Sequence, residues 1–209
     1  AVIEGLPELP AEVSGPHIPR DKLVETLSRN MHVEIQNDGG GRAYYSPRED
    51  RIHLPSSENF FSQYEYNATA LHELSHATGA PHRLNRNMGG VFGSPDYAYE
   101  ELVAEISSCF MSENLQTEPG AKHLENHQAY VQSWLKAVRK KPETLVKAIA
   151  DAEKAAAYME YKAELIPQKE YEKVTDSVRE IPGGEAMKET LKAGHNLLPK
   201  KEVPKGPKL

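Results

Sequence analysis

His72-Glu73-Leu74-Ser75-His76 is the part of this sequence whose residue types and spacing point most directly to chemistry. Residues four apart lie on one face of a helix. His72 and His76 can therefore aim ring nitrogens at one ion, as two imidazole ligands of a zinc site that keeps a position open for water. Glu73 follows the first histidine and is rotated toward that open side, where a carboxylate can take a proton from metal-activated water.

The flanking residues predict a helix that presents this set. Ala68, Leu71, Ser75 and Thr78 recur at three- and four-residue spacing. Ser56 or Ser57, just after Pro55, is the expected N-cap. Gly79 suits a left-handed C′ position, and Pro81 forbids continuation. A chain that turns away after His76 can return with a third ligand. A second amphipathic helix follows, with Leu102, Val103, Ile106, Cys109 and Phe110 as its apolar stripe. Glu101 and Glu105 stand one turn apart on it. Glu101 is the expected third ligand, and Glu105 the acceptor that fixes a ligating histidine's tautomer. Glu100 is the alternative ligand, although Ala104 rather than an acid lies one turn beyond it, and Glu105 stays open as a third choice. His82 falls where the third histidine of a His-x-x-Gly-x-x-His extension would stand, with Gly79 between it and His76, but a glutamate is the third ligand expected here. Two histidines and one carboxylate suit zinc, and also manganese or iron.

A carbonyl attacked by water develops an oxyanion that needs a donor. His127, His82, Arg83, Tyr97 and Tyr99 can supply one. His127 is favoured because it opens a helix expected to pack back on the core. His123 and His127 are also four apart, but no further convergent ligand makes them a second metal site.

The rest of the chain must position these groups. Its 209 residues suffice for one domain with a core plus extensions. With 38% hydrophobic residues and a mean hydropathy of −0.65, part of the length is expected to pack poorly. A formal charge of −6 disfavours a general nucleic-acid grip. No apolar run is long enough to span a membrane, and the N-terminus lacks a signal peptide's basic and apolar regions. One cysteine, Cys109, excludes an internal disulfide and fits a reducing cytoplasm; a buried, inert thiol is expected there. A first residue of Ala instead of Met is expected of a processed form or a fragment.

Residues 1–20 are Pro-rich and read as a linker or arm, residues 21–164 as the domain, and 165–209 as a charged, Pro- and Gly-broken extension. Asp21 can cap a helix through Asn30 with Leu23, Val24 and Leu27 inward. His32 to Ile35, Ala43 to Tyr45 and Arg51 to Leu54 read as short strands. An exposed edge among them can hold an extended peptide through main-chain hydrogen bonds. Glu125 to Lys140, and Pro142 to about Glu164, read as helices.

Ala43-Tyr44-Tyr45-Ser46-Pro47, the metal motif through Gly79, His82-Arg83-Leu84-Asn85-Arg86, Phe92-Gly93-Ser94 and Tyr97 through Glu105 together carry a resemblance, joined by Glu125 to Leu135. Over residues 30–160 the chain resembles the zincin-like metallopeptidase domain of plasmid antirestriction and conjugation proteins, the ArdC and TraC-like family. The resemblance implies an α+β zincin-like fold: a small β-sheet, the metal helix, a glutamate helix and C-terminal helices. It also implies a zinc-dependent, gluzincin-type peptidase acting on a protein or peptide, in the bacterial cytoplasm or carried into a recipient cell with transferred DNA. Such domains typically follow a single-stranded-DNA-binding domain. Glu4-Gly5-Leu6-Pro7 looks like the linker after it, so contact with single-stranded DNA is expected only through that missing part. Two rival readings share the site: an accessory module that holds metal without proteolysis, and a toxin or effector peptidase with one narrow target.

Overall fold

The computed structural model describes residues 20–90, 94–115 and 142–179. Helix α1, Lys22–Met31, starts where Asp21 accepts the Leu23 N–H and ends at His32, whose φ of 57° lies in the left-handed region. Its inward face is Leu23, Val24, Leu27 and Met31. Three strands follow: β1 Glu34–Gln36, β2 Tyr44–Ser46 and β3 Arg51–His53. Their order is β1-β3-β2, with β1 parallel and β2 antiparallel to β3. Ile35, Ile52 and Tyr45 share one row of that register and one buried face. The outer strand β2 is a sheet edge lying beside the next helix.

That helix, α2, spans Gln63–Ala77 and is capped by Ser62, not by Ser56 or Ser57 as expected. Ser57–Asn59 instead forms a single 3-10 turn. The reason is local: Ser62 accepts the Glu65 N–H, and the Glu65 carboxylate accepts the Phe61 N–H, a reciprocal arrangement like a capping box. Gly79 is also not left-handed, since Thr78 closes the helix in right-handed geometry and Gly40 is the positive-φ glycine among the described residues. Gly79 is needed for room. A Cβ there would stand 2.8 Å from Met88 Sδ and 3.1 Å from Arg86 Nη2.

Helix α3, Pro95–Ser112, starts from the Ser94 cap with Pro95 in the first turn. Helices α4, Pro142–Lys162, and α5, Gln168–Arg179, complete the described architecture. Leu102 and Val103 of α3 pack on Ala148 and Ala152 of α4, where small residues let the two helices approach closely. The main core joins α1, the sheet and α2 to Met111 and Met159. Phe110, placed in the apolar stripe by spacing, is 46% exposed, and Cys109 is only partly buried. The covered sides of α3 are those carrying Leu102, Val103, Ala104, Ser107, Ser108 and Met111. Tyr171 of α5 stacks on Tyr161 of α4, with ring centroids 5.3 Å apart. Among the described residues no helix is long and apolar enough to cross a membrane. The fold is α+β, with five α-helices and one small sheet among the described residues.

Candidate metal centre

Helices α2 and α3 cross so that His72, His76 and Glu101 meet. Glu101 Oε2 lies 3.8 Å from His72 Nε2, and its Oε1 lies 3.5 Å from His76 Nε2. The three donors fall within 4.8 Å of one another, the one such His, Cys, Asp or Glu set among the described residues. Two ligands of a tetrahedral ion, each at about 2.0–2.2 Å, stand about 3.4 Å apart. The donor set therefore fits a divalent metal with small adjustments, and both Nε2 atoms are turned toward Glu101.

Each Nδ1 is engaged by a different carboxylate. Glu105 Oε2 lies 3.1 Å from His72 Nδ1, the place the sequence reading gave it. Glu100 Oε1 lies 3.3 Å from His76 Nδ1, so the alternative ligand sits on the side of the ring facing away from Glu101. Carboxylates in these positions fix the ring tautomer that leaves Nε2 for the ion.

Charge is tightly coupled here. Burial works against the His76 imidazolium, but hydrogen bonds to Glu100 and Glu101 outweigh it and push the pKa up to about 9. His72 moves in the same direction, burial again being outweighed by Glu101 and Glu105. Burial would raise Glu101, yet both histidines hold it well below the usual carboxylate range. Protons on the imidazoles and a cation between them are thus alternative ways of balancing the same carboxylates.

Glu73 is 6% exposed and lines a cleft of about 340 Å³ together with Tyr44, Pro47, Met88, Tyr97 and Glu101. Its Oε2 accepts the Tyr45 N–H at 2.8 Å, which ties it to edge strand β2. Tyr45 is anchored in turn, donating its hydroxyl to Asp50 at 2.7 Å. Burial and the neighbouring Asp50 carboxylate push that phenol up to about 12. Arg83 grips both Asp50 oxygens at 2.8 and 2.9 Å and donates to the Ala77 and Met31 carbonyls. One arginine therefore locks the β2–β3 turn, the end of α1 and the end of the metal helix together.

The oxyanion-donor candidates separate accordingly. Arg83 is committed to Asp50, and His82 lies beside the same carboxylate, 3.3 Å away. Tyr99 donates to Asp151 at 2.7 Å and so faces α4. Burial and Asp151 hold its phenol well above its ordinary value. Tyr97 alone of the described candidates lines the cleft. His123 and His127, with the helix read over 125–140, lie outside the described residues.

Three features escaped the sequence reading: Arg86, the Tyr45 N–H and the Asp50 hub. All depend on chain reversals that bring distant segments together. Asn85, at φ 51°, turns the chain back so that Arg86 N–H reaches Gly79 O at 3.0 Å. The arginine side chain then spans the last turn of α2.

A family model described as zincin-like metallopeptidase matches residues 22–151. A DNA primase TraC of Escherichia coli is 40% identical over 160 residues, 73% of this chain and 14% of that protein. An uncharacterized protein, y4eC, of Sinorhizobium fredii is 34% identical, over 73% of this chain and 48% of its own length. The chain thus spans less than half of either relative. The crystal structure of the antirestriction protein ArdC from plasmid R388, in its Mn(II)-bound form, superposes with a TM-score of 0.57 at 34% identity, covering 70% of this chain and 54% of that one. Its metal-free form gives a TM-score of 0.55 at 33% identity, covering 79% and 58%.

Proposed function

Because the chain belongs to the zincin-like metallopeptidase family, we propose that it is a metal-dependent hydrolase of peptide bonds, serving an antirestriction-related role in plasmid biology. The observation that carries this reading is the three-donor set with a further carboxylate, Glu73, turned to the same cleft. A purely structural zinc site closes its coordination with four protein ligands. Here three meet among the described residues, which supports a catalytic over a merely structural ion.

His72 Nε2, His76 Nε2 and Glu101 would hold the ion, zinc in this proposal, with manganese the competing choice given the ArdC relative. When bound, the ion supplies Lewis acidity toward a carbonyl and lowers the pKa of water to about 7. Glu73, held in place by the Tyr45 N–H, receives the proton and returns it to the leaving amine. Edge strand β2, whose Tyr44 and Tyr45 line the cleft, accepts a protein or peptide substrate in extended form. His127 and Tyr97 are the proposed oxyanion donors, to be separated by His127→Ala and Tyr97→Phe. The proposed setting is the bacterial cytoplasm. Priming activity is not carried over, since the shared segment is a small part of TraC.

The test is cleavage profiling on a proteome-derived peptide library, with chelator and with zinc or manganese restored. Metal-restored cleavage supports the proposal. Cleavage indifferent to chelation contradicts it.

A further inference from the structure

Glu100 and Glu101 are consecutive, and both carboxylates lie against the ring of His76, one at each nitrogen. Only one of them can be the ligand if a coordination position is to stay open. Nothing in their chemistry chooses between them; Arg86 does. Its Nη2 lies 2.6 Å from Glu100 Oε1 and its Nε lies 3.0 Å from Oε2, a bidentate grip that uses both carboxylate oxygens. The guanidinium is itself fixed, donating to Thr78 Oγ1 at 2.6 Å and to Ser75 O at 2.8 Å. Both side chains are under a tenth exposed. Gly79 leaves the space that the guanidinium fills.

We propose that Arg86 is a positioning residue that reserves the open position of the metal, by clamping Glu100 on the Nδ1 side of His76 so that Glu101 is the only carboxylate ligand. The inference rests on the metal site proposed above and not on hydrolysis. Without Arg86, Glu100 is a buried anion whose strongest available partner is the ion itself. It then leaves His76 Nδ1 and adds to the coordination sphere. A second carboxylate fills the open position and moves the site toward harder ions that accept higher coordination numbers. Lysine cannot replace the arginine fully, because an ammonium is a point charge without the planar fork.

The test compares wild type, Arg86→Met, Arg86→Lys and Arg86→Met/Glu100→Gln by the visible spectrum of the Co(II)-loaded chain and by Zn(II)/Mn(II) competition. Wild type should show the intense absorption of four-coordinate cobalt. If wild type binds no cobalt or zinc, the site itself is refuted, and this proposal with it. Arg86→Met should lose about threefold in absorption and about tenfold in zinc preference over manganese. The double variant should recover the wild-type spectrum, since no free carboxylate remains to migrate, while binding metal more weakly for want of the His76 orienter. A role limited to stability lowers the melting temperature of each variant but leaves spectrum and metal preference unchanged. That result in Arg86→Met, or a double variant as weakly absorbing as Arg86→Met, overturns the proposal. Should Arg86→Met not fold, Arg86→Lys decides by the same readouts, with an intermediate loss expected and no loss contradicting.

Discussion

Metal should compete with protons at this site, and pH is the perturbation that exposes it. In the metal-free chain the His76 pKa is pushed up to about 9 and His72 moves the same way. Binding an ion through both Nε2 atoms must then expel protons that an exposed histidine has already lost at neutral pH. From His76 alone, a pKa of about 9 suppresses the apparent affinity by about 100-fold at pH 7 and gives about a tenfold gain per pH unit up to 9. His72 moves the same way and adds to both, so about one proton or more is released per ion at pH 7. Titration calorimetry in buffers of different ionisation enthalpy counts those protons, and chelator competition gives the affinity. Stability runs the other way. A histidine raised from 6.5 to about 9 contributes stability that is full below pH 6.5 and lost as pH rises through 9, on the order of 3 kcal/mol for the metal-free chain. The metal-loaded chain should lack that decline. An affinity flat between pH 7 and 9, with no protons released, would refute the coupling.

Arg83→Met should cost about 3 kcal/mol in urea unfolding at unchanged m, because it leaves Asp50 and two carbonyls without their shared donor. A loss below about 1 kcal/mol would mean that water replaces the guanidinium there. Gly79→Ala should cost about 1 kcal/mol, since its Cβ crowds Met88 Sδ, which can move, and Arg86 Nη2, which is pinned. An unaffected midpoint would show that the clamp has slack. Tyr99→Phe should lower stability through the lost Asp151 bond while leaving turnover intact, and a collapse of turnover at normal stability would return Tyr99 to the reaction.

What could be read from the sequence depended on range. The i, i+4 histidines and the stripe carrying Glu101 and Glu105 are helical periodicities, so the convergence of His72, His76 and Glu101 and the Glu105 contact to His72 are legible before any fold. The Asp21 cap and the three strands were equally local. Ser62-Gln63-Tyr64-Glu65 carries a capping-box pattern, but Pro55 places the expected helix start upstream of it. Glu100 was given its chemistry but not its side of the ring. That side depends on Arg86, fourteen residues earlier, and on a left-handed Asn85 that spacing does not reveal. Tyr99 is one of the oxyanion-donor candidates in the sequence, two positions before Glu101. Two positions of helical rotation turn it instead to Asp151 of α4. The exposure of Phe110 depends on which sides of α3 are covered by α2 and α4, and such docking has no signature in α3's own sequence.

In the proposed metal-dependent hydrolysis, Glu73 is the residue that moves the proton. Purified wild type and Glu73→Gln should be compared for bound metal by mass spectrometry and for peptide cleavage on one library under one metal concentration. Equal metal occupancy and a loss of cleavage of at least about 100-fold are expected in the variant, the usual scale for removing a positioned general base. Equal cleavage at equal metal content would contradict that role.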